Sequence, residues 1–172
     1  YRGSTKEHSD PLMRTYLEDL IYRLSETSEV RDRRFEFIIL EDKTINAFAA
    51  PGGIIGINLG MFLNTEREGE LASVMCHELA HLSQRHFARS QNRNSPLANA
   101  LMILGSIAVA AASRNPEAIL IAPAAMQQMS INYTRSNEKE ADRIGFNNLV
   151  KAGFDPNDMT MMFQRMQDKY QN

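Results

Sequence analysis

The chain has 172 residues, enough to bury a hydrophobic core and within the usual length of one domain. Hydrophobic residues make up 43% and charged residues 23%, a balance that excludes an intrinsically disordered chain. The net charge of -2 argues against a nucleic-acid-binding protein, which needs clustered basic residues, so we predict a single globular domain over 1–172.

The first part of the chain predicts one helix followed by a small sheet. Leu and Ile recur at helical spacing in YLEDLIYRLSETSE, after a Ser-Asp-Pro start signal. Three short runs rich in Ile and Phe then predict strands at about 35–40, 45–49 and 54–58. The Ala-Pro-Gly-Gly turn at 50–53 predicts that the last two strands form an antiparallel hairpin.

The pattern changes to a helical period after residue 65. Thr65 followed by Glu68 fits a capping box, and a long helix is predicted from there to about Arg93. The apolar run at 97–113 is shorter than the roughly 20 residues of a membrane span, and polar and small residues interrupt it. A buried or lid-like helix is therefore favoured, with contact to a membrane surface or a partner as the alternative.

The last part of the chain is predicted to be helical again. The segment from 124 to about Gly153 has the pattern of one or two helices. A terminal helix packed on the core is then indicated by apolar residues at helical spacing, which are Met159, Met162, Phe163 and Met166. The predicted fold class is α+β, a mainly helical domain with a small, partly antiparallel three-stranded sheet beside the helix that begins near residue 65.

The stretch SVMCHELAHLSQRH contains three of the four histidines. His77 and His81 lie four residues apart on the predicted helix, so both imidazoles project from one face toward a single ion. A catalytic zinc takes three protein ligands and leaves a fourth position for water, whose pKa it lowers toward about 7. Glu78 can accept the proton of that water and pass it to a leaving amine. The motif predicts a metal site with its own base, the alternative being two hydrogen-bonded helix histidines.

A third ligand must come from another element. His86 is rotated off the ligand face of the same helix, and His8 lies near the terminus. The segment SNEKEADRIG offers Glu138 and Asp142, which are four residues apart on one helix face. Glu138 can bind zinc, whereas Asp142 can accept the free N–H of a ligand histidine and fix its tautomer. A solvated, charged helix surface is the alternative interpretation of this segment.

Three segments, NAFAAPGGIIGINLGMF, ELASVMCHELAHLSQRHFAR and NEKEADRIGFNNLVKAGFDP, carry a resemblance to a known family. In this order they resemble the BepA-type periplasmic zinc metalloproteases, relatives of the HtpX membrane proteases and the CaaX prenyl endopeptidases, over roughly 10–172. The resemblance implies a zincin-like fold with one Zn²⁺ per chain. It further implies the residue roles already considered: zinc ligands His77, His81 and Glu138, catalytic base Glu78, and Asp142 as the residue that orients a ligand.

The resemblance implies a zinc-dependent endopeptidase that hydrolyses unfolded or misassembled envelope proteins in the periplasm, with the outer-membrane protein assembly machinery as a partner. The alternative function is a chaperone or assembly factor for outer-membrane proteins, with a latent or plugged zinc site. Glu78 favours the protease, because a structural zinc site needs no base. A membrane-embedded protease like HtpX requires spans that this sequence lacks.

Full-length members of the family carry a secretory signal before this region, and a His-bearing segment and a helical repeat domain after it. The expectation is therefore a protease-domain fragment or a short family member. No oxyanion donor is assigned, and Tyr133 is a weak candidate. In proteases of this kind the substrate backbone adds to a sheet edge near the metal, which makes Ile54–Asn58 a candidate edge, with an ordinary paired strand as the alternative. Relatives also use the segment after the histidine helix as a plug, which makes the run at 97–113 a candidate plug.

Overall fold

The structure is a computed structural model that describes residues 7–50, 52–85 and 118–171. For 118–134 and 170–171 it describes the course of the helix backbone and not the side chains. Residue contacts divide the chain into two units, 1–85 with 140–172 and 86–139, and each is described by itself. The core, the sheet and the HExxH motif all belong to the first unit.

The described residues form helices and a small sheet, which confirms the predicted α+β class. In chain order the elements are α1 (Pro11–Thr27), β1 (Glu36–Leu40), β2 (Ala47–Ala50), β3 (Ile54–Asn58), α2 (Leu59–Leu63), α3 (Glu68–Ser83), α4 (Ala118–Lys151) and α5 (Asn157–Gln171). The boundary between the two units falls inside α4. Within the described part of the chain, no helix is long and apolar enough to cross a membrane.

The sheet is mixed, with strand order β1-β3-β2. β2 and β3 form the predicted antiparallel hairpin, and β1 pairs with β3 in parallel. The turn between β2 and β3 uses Gly52 and Gly53 at φ 91° and 78°, left-handed values that glycine adopts without steric penalty. The expectation that Ile54–Asn58 is a sheet edge is wrong, because β1 and β2 occupy its two hydrogen-bonding sides.

α3 is the central helix of the first unit and packs against β2, α1 and α5. Its buried side includes Met75, Cys76 and Leu79, each with no more than a trace of solvent exposure. From α5, Met159 and Met162 are buried in the same core, as predicted for a terminal helix. Each fully buried side chain of this size contributes about 1.5–3 kcal/mol, so α3 is fixed firmly on three sides.

The start of α3 differs from the prediction. Its N-cap residue is Arg67, which makes no side-chain capping bond, so the predicted capping box of Thr65 and Glu68 is wrong. The Thr65 hydroxyl instead donates to the carbonyl oxygen of Met61, which lies in the short helix α2. Thr65 therefore belongs to the end of the preceding helix, a short element that local spacing did not reveal.

The end of α3 also differs from the prediction. The helix ends at Ser83, ten residues before the expected Arg93. Arg85 adopts a positive φ of 51°, which interrupts a right-handed helical backbone. His86, the run at 97–113 and the side chain of Tyr133 lie outside the described residues, so the expectations for them remain predictions.

Candidate metal centre

α3 presents His77 and His81 on one face, as their spacing predicts. Their Nε2 atoms lie 3.0 Å apart, and the rings meet edge to face with centroids 4.7 Å apart. Both side chains are half-buried at the margin of the core. The helix therefore directs two imidazole nitrogens at one point.

Glu138, on α4, supplies a third donor to this point. The two histidines and Glu138 each offer one ligand atom, and these atoms all lie within 4.8 Å of one another. Glu138 is exposed, whereas the two histidines are half-buried. The three residues predicted from the sequence as ligands are thus brought together, although Glu138 is far from the two histidines in the chain.

The donor set fits a zinc ion. Two imidazole nitrogens and one carboxylate form a common set of catalytic zinc ligands, which leaves one of four tetrahedral positions open. Two nitrogens that each lie about 2.0–2.1 Å from a tetrahedral zinc are about 3.3 Å apart. The observed separation of 3.0 Å between the two Nε2 atoms is close to that value.

Asp142, one turn after Glu138 on α4, lies against the opposite side of the His77 ring. Its Oδ1 is 2.9 Å from Nδ1 of His77. The His77 side chain is 13% exposed and that of Asp142 is 51% exposed, so the carboxylate reaches the ring from the solvent side. A carboxylate this close to Nδ1 favours the tautomer that carries its proton there and leaves Nε2 free, which is the form that binds a metal.

Glu78 and His8 lie outside the group of three candidate ligands. Glu78 follows His77 on α3 and is half-buried, next to the buried Leu79. His8 is not part of the group of three, and its Nδ1 lies 3.4 Å from Oε1 of Glu41. This agrees with the expectation that His8 is not a ligand.

Comparison with known proteins decides the family. The chain matches peptidase family M48 over residues 11–169. It belongs to that family. The expected resemblance is thereby confirmed, and so is the expected class of enzyme, a metal-dependent peptidase.

Three relatives illustrate the similarity of this M48 chain to named proteins. It is 46% identical over 167 residues to the putative beta-barrel assembly-enhancing protease of Vibrio cholerae, covering 94% of this chain and 34% of the relative. It is 38% identical over 175 residues to the beta-barrel assembly-enhancing protease of Escherichia coli strain K12, covering 98% and 35%. With the mitochondrial metalloendopeptidase OMA1 of Schizosaccharomyces pombe it shares 28% identity over 172 residues, covering 96% and 49%. The chain thus spans about a third of the length of the bacterial relatives.

Phe163, on α5, is a neighbour of the candidate metal site, although its helical spacing in the sequence predicted only a core residue. Its ring meets the His77 ring edge to face, with centroids 5.9 Å apart. Aromatic pairs in this arrangement contribute about 0.5–1.5 kcal/mol beyond their buried area. Helical spacing predicted that Phe163 faces inward, but it carries no information about which ring it meets.

A buried ion pair fastens the start of α3 to α5. Oε2 of Glu70, a residue with 0% exposure, accepts hydrogen bonds from Nη1 of Arg165 at 2.6 Å and from the amide of Glu66 at 2.8 Å. Burial, the largest single influence, raises the pKa of Glu70, but these hydrogen bonds and the charge of Arg165 together outweigh it. The pKa of Glu70 therefore lies below its usual range, and the group is ionised at neutral pH.

Proposed function

We propose that this domain is a zinc-dependent endopeptidase, in which His77, His81 and Glu138 hold one Zn²⁺ and Glu78 is the general base. The observation that supports it most directly is the meeting of two Nε2 atoms and a carboxylate within 4.8 Å. When bound there, zinc supplies a Lewis acid that polarises the peptide carbonyl and lowers the pKa of water. Among the described residues the donor set has three members, which would leave one of four positions for water, whereas a purely structural zinc site fills all four with protein ligands.

The residues of the chain carry the proton transfers and the positioning. Glu78 accepts a proton from the water whose oxygen attacks the peptide carbonyl carbon, and it gives that proton to the amine nitrogen as the C–N bond breaks. Asp142 holds Nδ1 of His77, and Phe163 packs against the same ring, so the ligand keeps one orientation. General acid and base catalysis of this kind contributes about 100- to 10,000-fold to a rate.

We infer that an extended substrate lies along β2. β2 is an edge strand of the sheet and packs against α3, the helix that carries His77 and His81. Peptides commonly add to such edges through main-chain hydrogen bonds, with side-chain pockets providing specificity. This replaces the central strand Ile54–Asn58 as the predicted substrate edge.

We propose that residues 1–172 act as a single protease domain, and that its substrates are unfolded or misassembled envelope proteins in the periplasm. Support comes from the similarity to relatives named beta-barrel assembly-enhancing proteases. The same names make the outer-membrane protein assembly machinery the partner to test first. A chaperone with a latent zinc site is the second candidate, favoured by the same assembly-related names.

The Glu78→Gln variant tests the assigned base. We expect it to keep one zinc per chain, because no ligand changes, and to cleave unfolded casein at least about 100-fold more slowly than wild type. Zinc is measured by metal analysis, and cleavage by the release of casein fragments. Glu36→Gln, at an exposed position of β1, is the control and should leave both unchanged.

Three outcomes distinguish the candidate functions. If Glu78→Gln cleaves casein at the wild-type rate, Glu78 is not the general base. A wild-type protein that binds no zinc refutes the metal site. A zinc-loaded wild type that cleaves no unfolded protein but prevents its aggregation favours the chaperone.

A further inference from the structure

Gly145 lies in the interior of α4, at a point where the backbones of two helices meet. A Cβ atom at this position would lie 3.0 Å from the amide nitrogen of His77 and 3.1 Å from the carbonyl carbon and oxygen of Cys76. These are backbone atoms of α3, which cannot rotate away as a flexible side chain can. A glycine inside a helix is destabilising relative to alanine, so its presence here calls for a packing reason.

The contact around Gly145 is made by small residues of both helices. Ala141, one turn before Gly145, is fully buried and forms a buried cluster with Ala80 of α3 and Ile144 of its own helix. Small side chains at such a crossing allow two helix axes to approach more closely than larger ones do. Ala141 and Gly145 therefore form the side of α4 that lies against α3.

Asp142 shares this side of α4, because it lies three residues before Gly145 and such residues are neighbours on a helix surface. The aspartate side chain is short, and its Oδ1 lies 2.9 Å from Nδ1 of His77. A short side chain makes this distance depend directly on how closely α4 approaches α3. The amide that a Cβ at position 145 would meet belongs to the same His77.

We propose that Gly145 is a positioning residue of the metal site, setting the separation of α3 and α4 at which Asp142 contacts His77. The proposal deepens the proposed function and rests on it for the metal measurement below. A methyl group at position 145 would require the neighbouring backbone to move by a few tenths of an ångström. The contact of Asp142 with Nδ1 then lengthens, and the imidazole loses the partner that orients it.

Zinc affinity, measured by competition with a chelator, tests the proposal in a double-mutant cycle. We expect Gly145→Ala to lower the affinity about tenfold and Asp142→Ala about 10- to 100-fold, the range for residues that orient a ligand. In the Asp142→Ala background, Gly145→Ala should cause no additional loss, because the contact through which it acts is already absent. Asn147→Ala, at an exposed position of α4, should bind zinc like wild type.

A rescue variant separates positioning from general damage. Glutamate at position 142 is one methylene longer, so Asp142→Glu combined with Gly145→Ala should regain part of the affinity that Gly145→Ala loses. Equal losses from Gly145→Ala with and without Asp142, or no rescue by glutamate, overturn the proposal. A Gly145→Ala protein that fails to fold, judged by circular dichroism, also overturns it, because only a small local shift is required.

A measurement on the metal-free protein is independent of the zinc assignment. Nitrogen chemical shifts of the histidine rings report their tautomers, at about pH 8.5 where imidazoles of ordinary pKa are neutral. We expect Gly145→Ala to move the His77 signals toward those of Asp142→Ala and to leave His8 unchanged. His77 signals like those of wild type would refute the role of Gly145. A wild-type protein without zinc affinity but with the expected shifts would refute only the proposed metal site.

Discussion

Two carboxylates on α4 are close in the chain but differ in their relation to the metal site. Glu138 belongs to the group with His77 and His81, whereas Glu140 does not. Two residues along a helix correspond to a rotation of about 200°, so the two side chains leave α4 in nearly opposite directions. The helical repeat of 3.6 residues per turn thus brings only one of these two carboxylates to the candidate metal site.

Replacing each of these carboxylates tests the selection. Glu138→Ala removes one of the three proposed ligands and should lower zinc affinity by more than about 100-fold, beyond the range for residues that only orient a ligand. Glu140→Ala, the matched control, should retain wild-type affinity. Zinc content after dialysis and competition with a chelator measure both effects. Equal losses in the two variants would mean that the wrong carboxylate is assigned.

At the level of elements, β2 is an edge strand, and its register with β3 shows which of its backbone groups point outward. The amide of Asn58 donates to the carbonyl oxygen of Asn46, and Phe48 lies opposite Gly56 two residues further along. In an antiparallel pair, hydrogen-bonded and non-hydrogen-bonded positions alternate. Ala49 is therefore a non-hydrogen-bonded position, and its backbone N–H points away from β3 toward the outer edge.

The Ala49→Pro variant tests whether substrate binds along β2. Proline removes this outward N–H, and edge strands tolerate proline, so the pairing of β2 with β3 should persist. Loss of one main-chain hydrogen bond of about 1 kcal/mol should raise the KM for casein about fivefold, with zinc content unchanged. Ala49→Gly retains the N–H and is the control. A wild-type KM for Ala49→Pro would place the substrate elsewhere.

Which features the sequence could predict depends on whether the information is local. The proposed ligands His77, His81 and Glu138 follow from helical periodicity plus the donor set that zinc requires, and the hairpin follows from its glycine turn. Strand order is not local information. Nothing within Ile54–Asn58 shows that β1 pairs with the side of this strand that β2 leaves unpaired. The same holds for Thr65, which lies between the end of α2 and the start of α3. Its hydroxyl bonds to the end of α2, which the local sequence does not show.

At the scale of the whole molecule, the ion pair of Glu70 and Arg165 links stability to pH. The pKa of Glu70 is lowered in the folded state, so the ionised group stabilises the fold at pH values above its unfolded pKa of about 4.3. This contribution decreases as the pH falls through the lower, folded-state pKa. Acid therefore weakens the attachment of α3 to α5.

The Glu70→Gln variant tests this link. We expect it to lower the free energy of unfolding at pH 7 by about 3 kcal/mol, since it leaves the largely buried Arg165 with only the exposed carboxylate of Glu66 as a counterion. Between pH 7 and pH 3 its stability should fall less steeply than that of wild type, because it has one carboxylate fewer to protonate. Urea unfolding at several pH values measures both quantities. Parallel pH dependence of the two proteins would exclude Glu70 as a source of acid sensitivity.

The lone thiol of the chain, that of Cys76, occupies the position just before His77, within the packed side of α3. Burial raises the pKa of this thiol to about 12, so it keeps its proton throughout the physiological range. The thiolate is the form that reacts with oxidants and competes for soft metals. The protonated sulfur of Cys76 is therefore unreactive toward both, although it lies next to His77. A change between reducing and oxidising surroundings should accordingly leave this thiol unmodified.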